Sequence, residues 1–130
     1  MCGIAGGNLF TLDSIKQSLD DTKHRGYDAQ LVFNDGDMTL GHNRLSIQDL
    51  SENANQPFTD STGRYTIVYN GELWKSMLKY RTELELKYNF ITKNSDTELL
   101  LYMFIEYKEK CFEMLDGMFS FAIYDKEEQK

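Results

Sequence analysis

Apolar residues recur along this chain with two periods, and each period predicts an element. Leu12, Ile15 and Leu19 stand at i, i+3 and i+7 and predict a short amphipathic helix ending before Lys23, with Gly26 as a stop. Leu73, Met77, Tyr80 and Leu84 predict a second helix. A third begins at Ser95-Asp96-Thr97-Glu98, a capping box in which the Ser95 hydroxyl accepts from the Glu98 N–H and the Glu98 side chain returns to the Ser95 N–H. Its buried stripe is Leu100, Met103, Phe104, Tyr107 and Cys111, which makes Cys111 a core residue. The small, apolar run from Cys2 to Asn8 predicts an inner strand that other backbone approaches closely. Gln30 to Phe33 and Met38 to Gly41 flank Asn34-Asp35-Gly36-Asp37 and predict a hairpin, because Asp and Gly tolerate positive φ. Arg64 to Asn70 is β-branched and aromatic, so Asn70-Gly71 falls at a predicted strand-to-helix turn. Met118 to Tyr124 is apolar on both faces and predicts a central strand covered on both sides. Arg44 to Phe58 is polar and irregular and predicts a surface loop near a strand end. Strands, a hairpin and three helices without regular βαβ alternation give an α+β class.

Composition narrows the function. Hydrophobic residues make up 41% of the 130 positions, which suits one globular domain, residues 1–130, whose core needs neither disulfide nor metal. The formal net charge of -7 argues against nucleic acid, whose binders use a basic stripe to displace counterions. No apolar run approaches the ~18 residues that a bilayer span requires. The start of the chain lacks the layout of a secretion signal, so the expected location is the cytoplasm, with no membrane partner. Cys2 and Cys111 form no metal-ligand pair and are expected as free thiols.

Cys2 changes the picture. Excision of Met1 would leave an α-amine, with a reference pKa of about 8, beside the thiol, so one residue would carry nucleophile and base together. Position alone also fits an incidental cysteine. Asn70-Gly71-Glu72 adds a side-chain amide and a backbone N–H that suit a developing oxyanion, although Asn-Gly equally serves a plain turn. Arg44 reads as a surface cation or a carboxylate clamp, and Asp96 as a first-turn carboxylate or an ammonium partner. Together with Glu72 they form a set suited to a zwitterionic amino acid whose side chain ends in an amide.

These residues lie in segments that carry a family resemblance: Met1-Cys2-Gly3-Ile4-Ala5-Gly6, His24-Arg25-Gly26, Gly41-His42-Asn43-Arg44-Leu45-Ser46-Ile47, Gln56-Pro57, Asn70-Gly71-Glu72, Ser95-Asp96 and Gly117 to Ala122. The chain resembles class II glutamine amidotransferases, most closely the glutaminase domain of asparagine synthetase. The resemblance implies an N-terminal-nucleophile αββα sandwich with antiparallel sheets that hydrolyses glutamine to glutamate and ammonia without a cofactor. It implies that Cys2 forms a glutamyl thioester, that Asn70 and Gly71 make the oxyanion hole, and that Arg44 holds the carboxylate while Asp96 and Glu72 hold the ammonium. His24-Arg25-Gly26 and Gln56-Pro57 would be supportive. An ATP-dependent synthetase domain or subunit would accept the ammonia, and further strands would follow Lys130. Tyr27 makes Arg-Gly-Tyr-Asp, closer to the glucosamine-phosphate-forming branch, and Lys75 stands where the family commonly has Asn. The competing expectation is a catalytically inactive module that keeps the fold and serves interaction or regulation.

Overall fold

A computed structural model describes residues 1–47 and 49–130, so Gln48, inside the predicted surface loop, lies outside the described residues. The strands are β1 (Gly3–Gly7), β2 (Ala29–Asn34), β3 (Thr39–Arg44), β4 (Phe58–Thr59), β5 (Tyr65–Leu73) and β6 (Gly117–Asp125); the α-helices are α1 (Leu12–Asp21), α2 (Leu78–Leu84) and α3 (Asp96–Tyr107). The strands form two antiparallel three-stranded sheets, ordered β1-β3-β2 and β4-β5-β6. β5 touches β1 and β3 across the gap between the sheets, α1 packs on the first sheet, and α3 packs on β5. The result is a layered α+β fold.

Strand alternation builds those layers. On β5, the odd positions Tyr65, Ile67, Tyr69 and Leu73 pack with Leu99, Leu100 and Met103 of α3, while Val68 packs with Leu40 and Tyr124 in the other cluster, beside Ile4. The Thr11 hydroxyl caps α1 by accepting from the Ser14 N–H at 3.1 Å. Ile15 and Leu19 of α1 bear on Gly41, where a Cβ would come within 2.7 Å of Ile15 Cγ2 and 2.8 Å of Leu19 Cδ1. The glycine lets the helix settle close to β3. The predicted hairpin forms as expected between β2 and β3, with Gly36 at φ 96° in its turn.

Four expectations are corrected. Asn70-Gly71 does not sit at a strand-to-helix turn: β5 continues through Gly71 and Glu72 to Leu73 because β6 pairs with it over all nine residues. The second helix therefore starts at Leu78, after a 3-10 turn over Lys75–Met77. Ser95 caps α3 as expected, accepting from the Glu98 N–H at 3.4 Å, but Glu98 does not return to Ser95. Its fully buried carboxylate accepts from the Ile91 and Thr92 N–H groups at 2.8 and 2.9 Å and from the Thr92 hydroxyl. A buried charge requires several donors, and this loop supplies more than the cap would. Third, α3 is buried on every side from Thr97 to Met103 rather than along one stripe, and it ends at Tyr107. Cys111 is in the core but on the following 3-10 turn. Fourth, β6 is the outermost strand of its sheet among the described residues, with Met118 65% and Phe119 38% exposed. Apolar alternation reports affinity for burial and carries no information on which strand lies beyond.

Gly71 has a mechanical role in this pairing. A Cβ there would stand 2.3 Å from the Met118 carbonyl oxygen and 2.6 Å from Phe119 Cα, and backbone cannot give way as a side-chain end does. Gly71→Ala is expected to cost about 2–3 kcal/mol, read as a lower urea midpoint with loss of β6 amide-exchange protection. An unchanged midpoint would show that β6 can shift freely.

Candidate active site

A cavity of about 260 Å³ opens at the β5 end of the gap between the sheets, walled by Cys2, His42, Arg44, Asn70, Gly71 and Glu72 among others. A groove of about 900 Å³ beside α3 is larger, over Phe104, Phe112 and Phe121, but neither thiol nor imidazole lines it. The chemistry therefore points to the smaller one.

Cys2 enters β1 one residue before the strand begins. Its alternation partner Ile4 packs into the cluster between the sheets, so the thiol faces the same gap. Its Sγ accepts the Leu45 N–H at 3.3 Å and lies 3.7 Å from the Leu45 carbonyl oxygen as donor. Arg25 Nε donates to the Cys2 carbonyl at 3.1 Å. Gly26 allows this approach, because a Cβ there would meet the Arg44 backbone at 2.5 Å. Met1 is 69% exposed, and the backbone leading to Cys2 ends at the cavity mouth.

The opposite wall is the open edge of β5. The Tyr65 N–H donates to Asp60, the Tyr69 N–H to Gln56 Oε1 at 2.6 Å and the Leu73 N–H to Asp96 Oδ2 at 2.8 Å, all on the side away from β6. Gly71 falls between the last two in the same parity, so its N–H projects to that edge and into the cavity. Asn70 has the opposite parity and, like Val68, turns its side chain toward the first sheet. An amide side chain and a backbone N–H thus flank one space opposite the thiol, the arrangement that stabilises an oxyanion.

Five of the six candidate residues come together. Arg44 is buried in the wall, but its guanidinium donates to the Ser51 carbonyl at 2.8 Å, to Asn55 Oδ1 at 2.6 Å and to the Asp49 carbonyl. It holds the loop over the cavity. Asp96 lines an adjoining recess with Glu72, Leu73 and Trp74 rather than the cavity itself. The Gln56 amide also donates to Thr97 Oγ1 at 2.9 Å and ties β5 to α3.

Three groups were given no role in the motif reading. Asp49 accepts from the Ser51 hydroxyl and N–H and from the Lys93 and Asn94 N–H groups. The Ser51 hydroxyl foremost, with these main-chain donors, holds its carboxyl down to about 2. Tyr69 has a buried hydroxyl without a partner among the described residues; burial raises its pKa, and the charges of Asp96, Glu72 and Cys2 add to this. His42 is 1% exposed and neither ring nitrogen has a hydrogen-bond partner among the described residues. Its signal was the alternation Leu40, His42, Arg44, which puts it on the face that carries Arg44. Burial lowers its pKa to about 4, helped by the Arg44 charge and opposed by the Tyr69 main chain. Cys111, by contrast, is buried, and burial pushes its thiol up to about 11.

The whole chain, residues 1–130, matches the glutamine amidotransferase domain family. It belongs to that family. Among its relatives, glutamine-hydrolyzing asparagine synthetase 3 of Bacillus subtilis (strain 168) is 38% identical over 133 residues, covering 96% of this chain and 21% of the relative. Glutamine-hydrolyzing asparagine synthetase B of Escherichia coli (strain K12) is 32% identical over 98% of this chain and 24% of its own length. Amidase chyE of Penicillium rubens (strain ATCC 28089 / DSM 1075 / NRRL 1951 / Wisconsin 54-1255) is 36% identical over 91% of this chain and 17% of its own. The chain spans about a fifth of the length of these curated relatives. No helix among the described residues is long and apolar enough to cross a membrane.

The buried imidazole links pH to stability. Its folded value of about 4 lies below the ordinary 6.5, so the unfolded chain takes the proton first as pH falls. His42 contributes stability that is complete above about pH 6.5 and is lost progressively down to about pH 4, on the order of 3 kcal/mol. Urea midpoints measured across that window should fall in the wild type, and this component should vanish in His42→Gln. Parallel curves for the two proteins would remove His42 as its source.

Proposed function

We propose that this chain hydrolyses glutamine to glutamate and ammonia through a Cys2 thioester, within an N-terminal-nucleophile fold formed by one domain over residues 1–130. The observation that carries the reading is that Cys2, Asn70 and Gly71 line one cavity. Family membership supplies the substrate class.

With Met1 removed, the Cys2 amine takes the thiol proton and the thiolate attacks the carboxamide carbon. The new oxyanion is held by Asn70 and Gly71, so charge develops where donors already point. As the C–N bond breaks, the amine returns its proton to the leaving nitrogen and ammonia departs. Water then attacks the thioester with the amine again as base, the C–S bond breaks, and glutamate leaves with the thiol restored. Arg44 takes the α-carboxylate with donors beyond those that hold the loop, and Glu72 and Asp96 take the ammonium. An ATP-dependent, asparagine-synthetase-like domain or subunit in the cytoplasm consumes the ammonia. The second reading, an inactive binding module, draws on the engagement of Arg44 by its own loop.

Glutamate release from glutamine, with intact mass to establish Met1 removal, separates the two. Cys2→Ala is expected to abolish release, and Asn70→Ala to lower turnover by about 10²–10³. A folded chain with a free Cys2 amine and no release would leave the binding module as the better account.

A further inference from the structure

The steps above give His42 nothing to do, yet its environment is that of a ligand-binding group. A neutral imidazole carries one N–H and one lone pair, and leaving either buried and unpaired costs about 1–3 kcal/mol. By hydrogen-bond geometry neither ring nitrogen of His42 has a partner among the described residues. On its own sheet it is flanked by Ile4 of β1 and Leu31 of β2, neither of which has a polar side chain. The Tyr69 main chain does not meet hydrogen-bond geometry with the ring, yet it favours the protonated form and so suits the N–H. The other ring nitrogen, buried and without a donor among the described residues, belongs to a side chain that lines the cavity together with Cys2.

The two ends of a carboxamide differ in what they ask for. Its oxygen is an acceptor, matched by the Asn70 amide and the Gly71 N–H. Its nitrogen is a pure donor, and an uncharged ring nitrogen is a matching acceptor. A carboxylate in the same position would bring a second set of lone pairs against the ring.

We propose that His42 reads the nitrogen end of the substrate amide, its unprotonated ring nitrogen accepting a carboxamide N–H while Asn70 and Gly71 hold the oxygen. The proposal rests on the glutaminase reading and adds the group that tells glutamine from glutamate. Burial keeps the ring uncharged at neutral pH, so the lone pair is available under the conditions of the reaction.

The chain has two histidines, so Cys2→Ala combined with His24→Gln and ¹⁵N-histidine labelling leaves His42 as the single imidazole and glutamine unhydrolysed. Saturating glutamine is expected to move the unprotonated ring nitrogen upfield, as accepting a hydrogen bond does. Glutamate should bind about tenfold more weakly by calorimetry. In the Cys2→Ala background, His42→Phe should bring the two affinities within about threefold of each other. If His42→Phe does not fold, the nitrogen shift, which retains His42, decides alone. Calorimetric binding of glutamine with an unmoved ring nitrogen overturns this proposal and leaves the glutaminase reading standing. No binding of glutamine at all overturns both.

Discussion

β5 is paired along all nine residues on one edge and only at Thr66 and Ile67 on the other, and the candidate site follows from that inequality. Main-chain N–H groups beyond the reach of β4 still need acceptors. Gln56 supplies one to Tyr69 and Asp96 supplies one to Leu73, each from a side chain anchored elsewhere. Gly71, between them, directs its N–H into the cavity. The same strand turns Asn70 toward the first sheet, so one stretch of backbone presents two donors from two directions. Gly71 also has to be glycine for β6 to pass, since a Cβ would collide with the Met118 carbonyl. Fold and site draw on the same residue.

The opposing sheet is set by glycines as much as by apolar side chains. Gly41 admits α1 onto β3 and Gly26 admits the chain against Arg44. That approach lets Arg25 grip the Cys2 carbonyl, so Cys2 is held at two points, its carbonyl and its sulfur. Contacts of this kind fix the thiol in place before any ligand arrives. Above it, Arg44 and Asp49 fasten the loop from opposite ends, one through loop carbonyls and one through the Lys93 and Asn94 amides. The loop cannot lift without breaking charge-assisted hydrogen bonds.

Burial also sorts the titratable groups. His42 is kept neutral on the acid side, whereas Tyr69 and Cys111 are kept neutral on the basic side. Cys2 is half-buried at the cavity mouth and Cys111 lies in the core. The two thiols differ in environment, and of the two only Cys2 lines the cavity.

The sequence by itself determined the local elements and the candidate chemistry. Periodicity found α1, the β2–β3 hairpin and the start of α3, because these depend on contacts within a few residues: the Thr11 and Ser95 caps, the Gly36 turn, the i, i+3 spacing of apolar side chains. The motifs named Cys2, Arg44, Asn70, Gly71, Glu72 and Asp96 by residue type and order. Tertiary structure alone decided how far β5 runs, since β6 is contributed from about fifty residues downstream and its pairing overrides the helical period at Leu73. It alone drew Glu98 away from its cap toward Ile91 and Thr92, tied Arg44 to the loop, and left β6 outermost in its sheet among the described residues. His42 was legible as a member of a motif, but its buried, unpaired nitrogens exist only once two sheets close over it, because solvation is a property of the packed molecule and not of the chain.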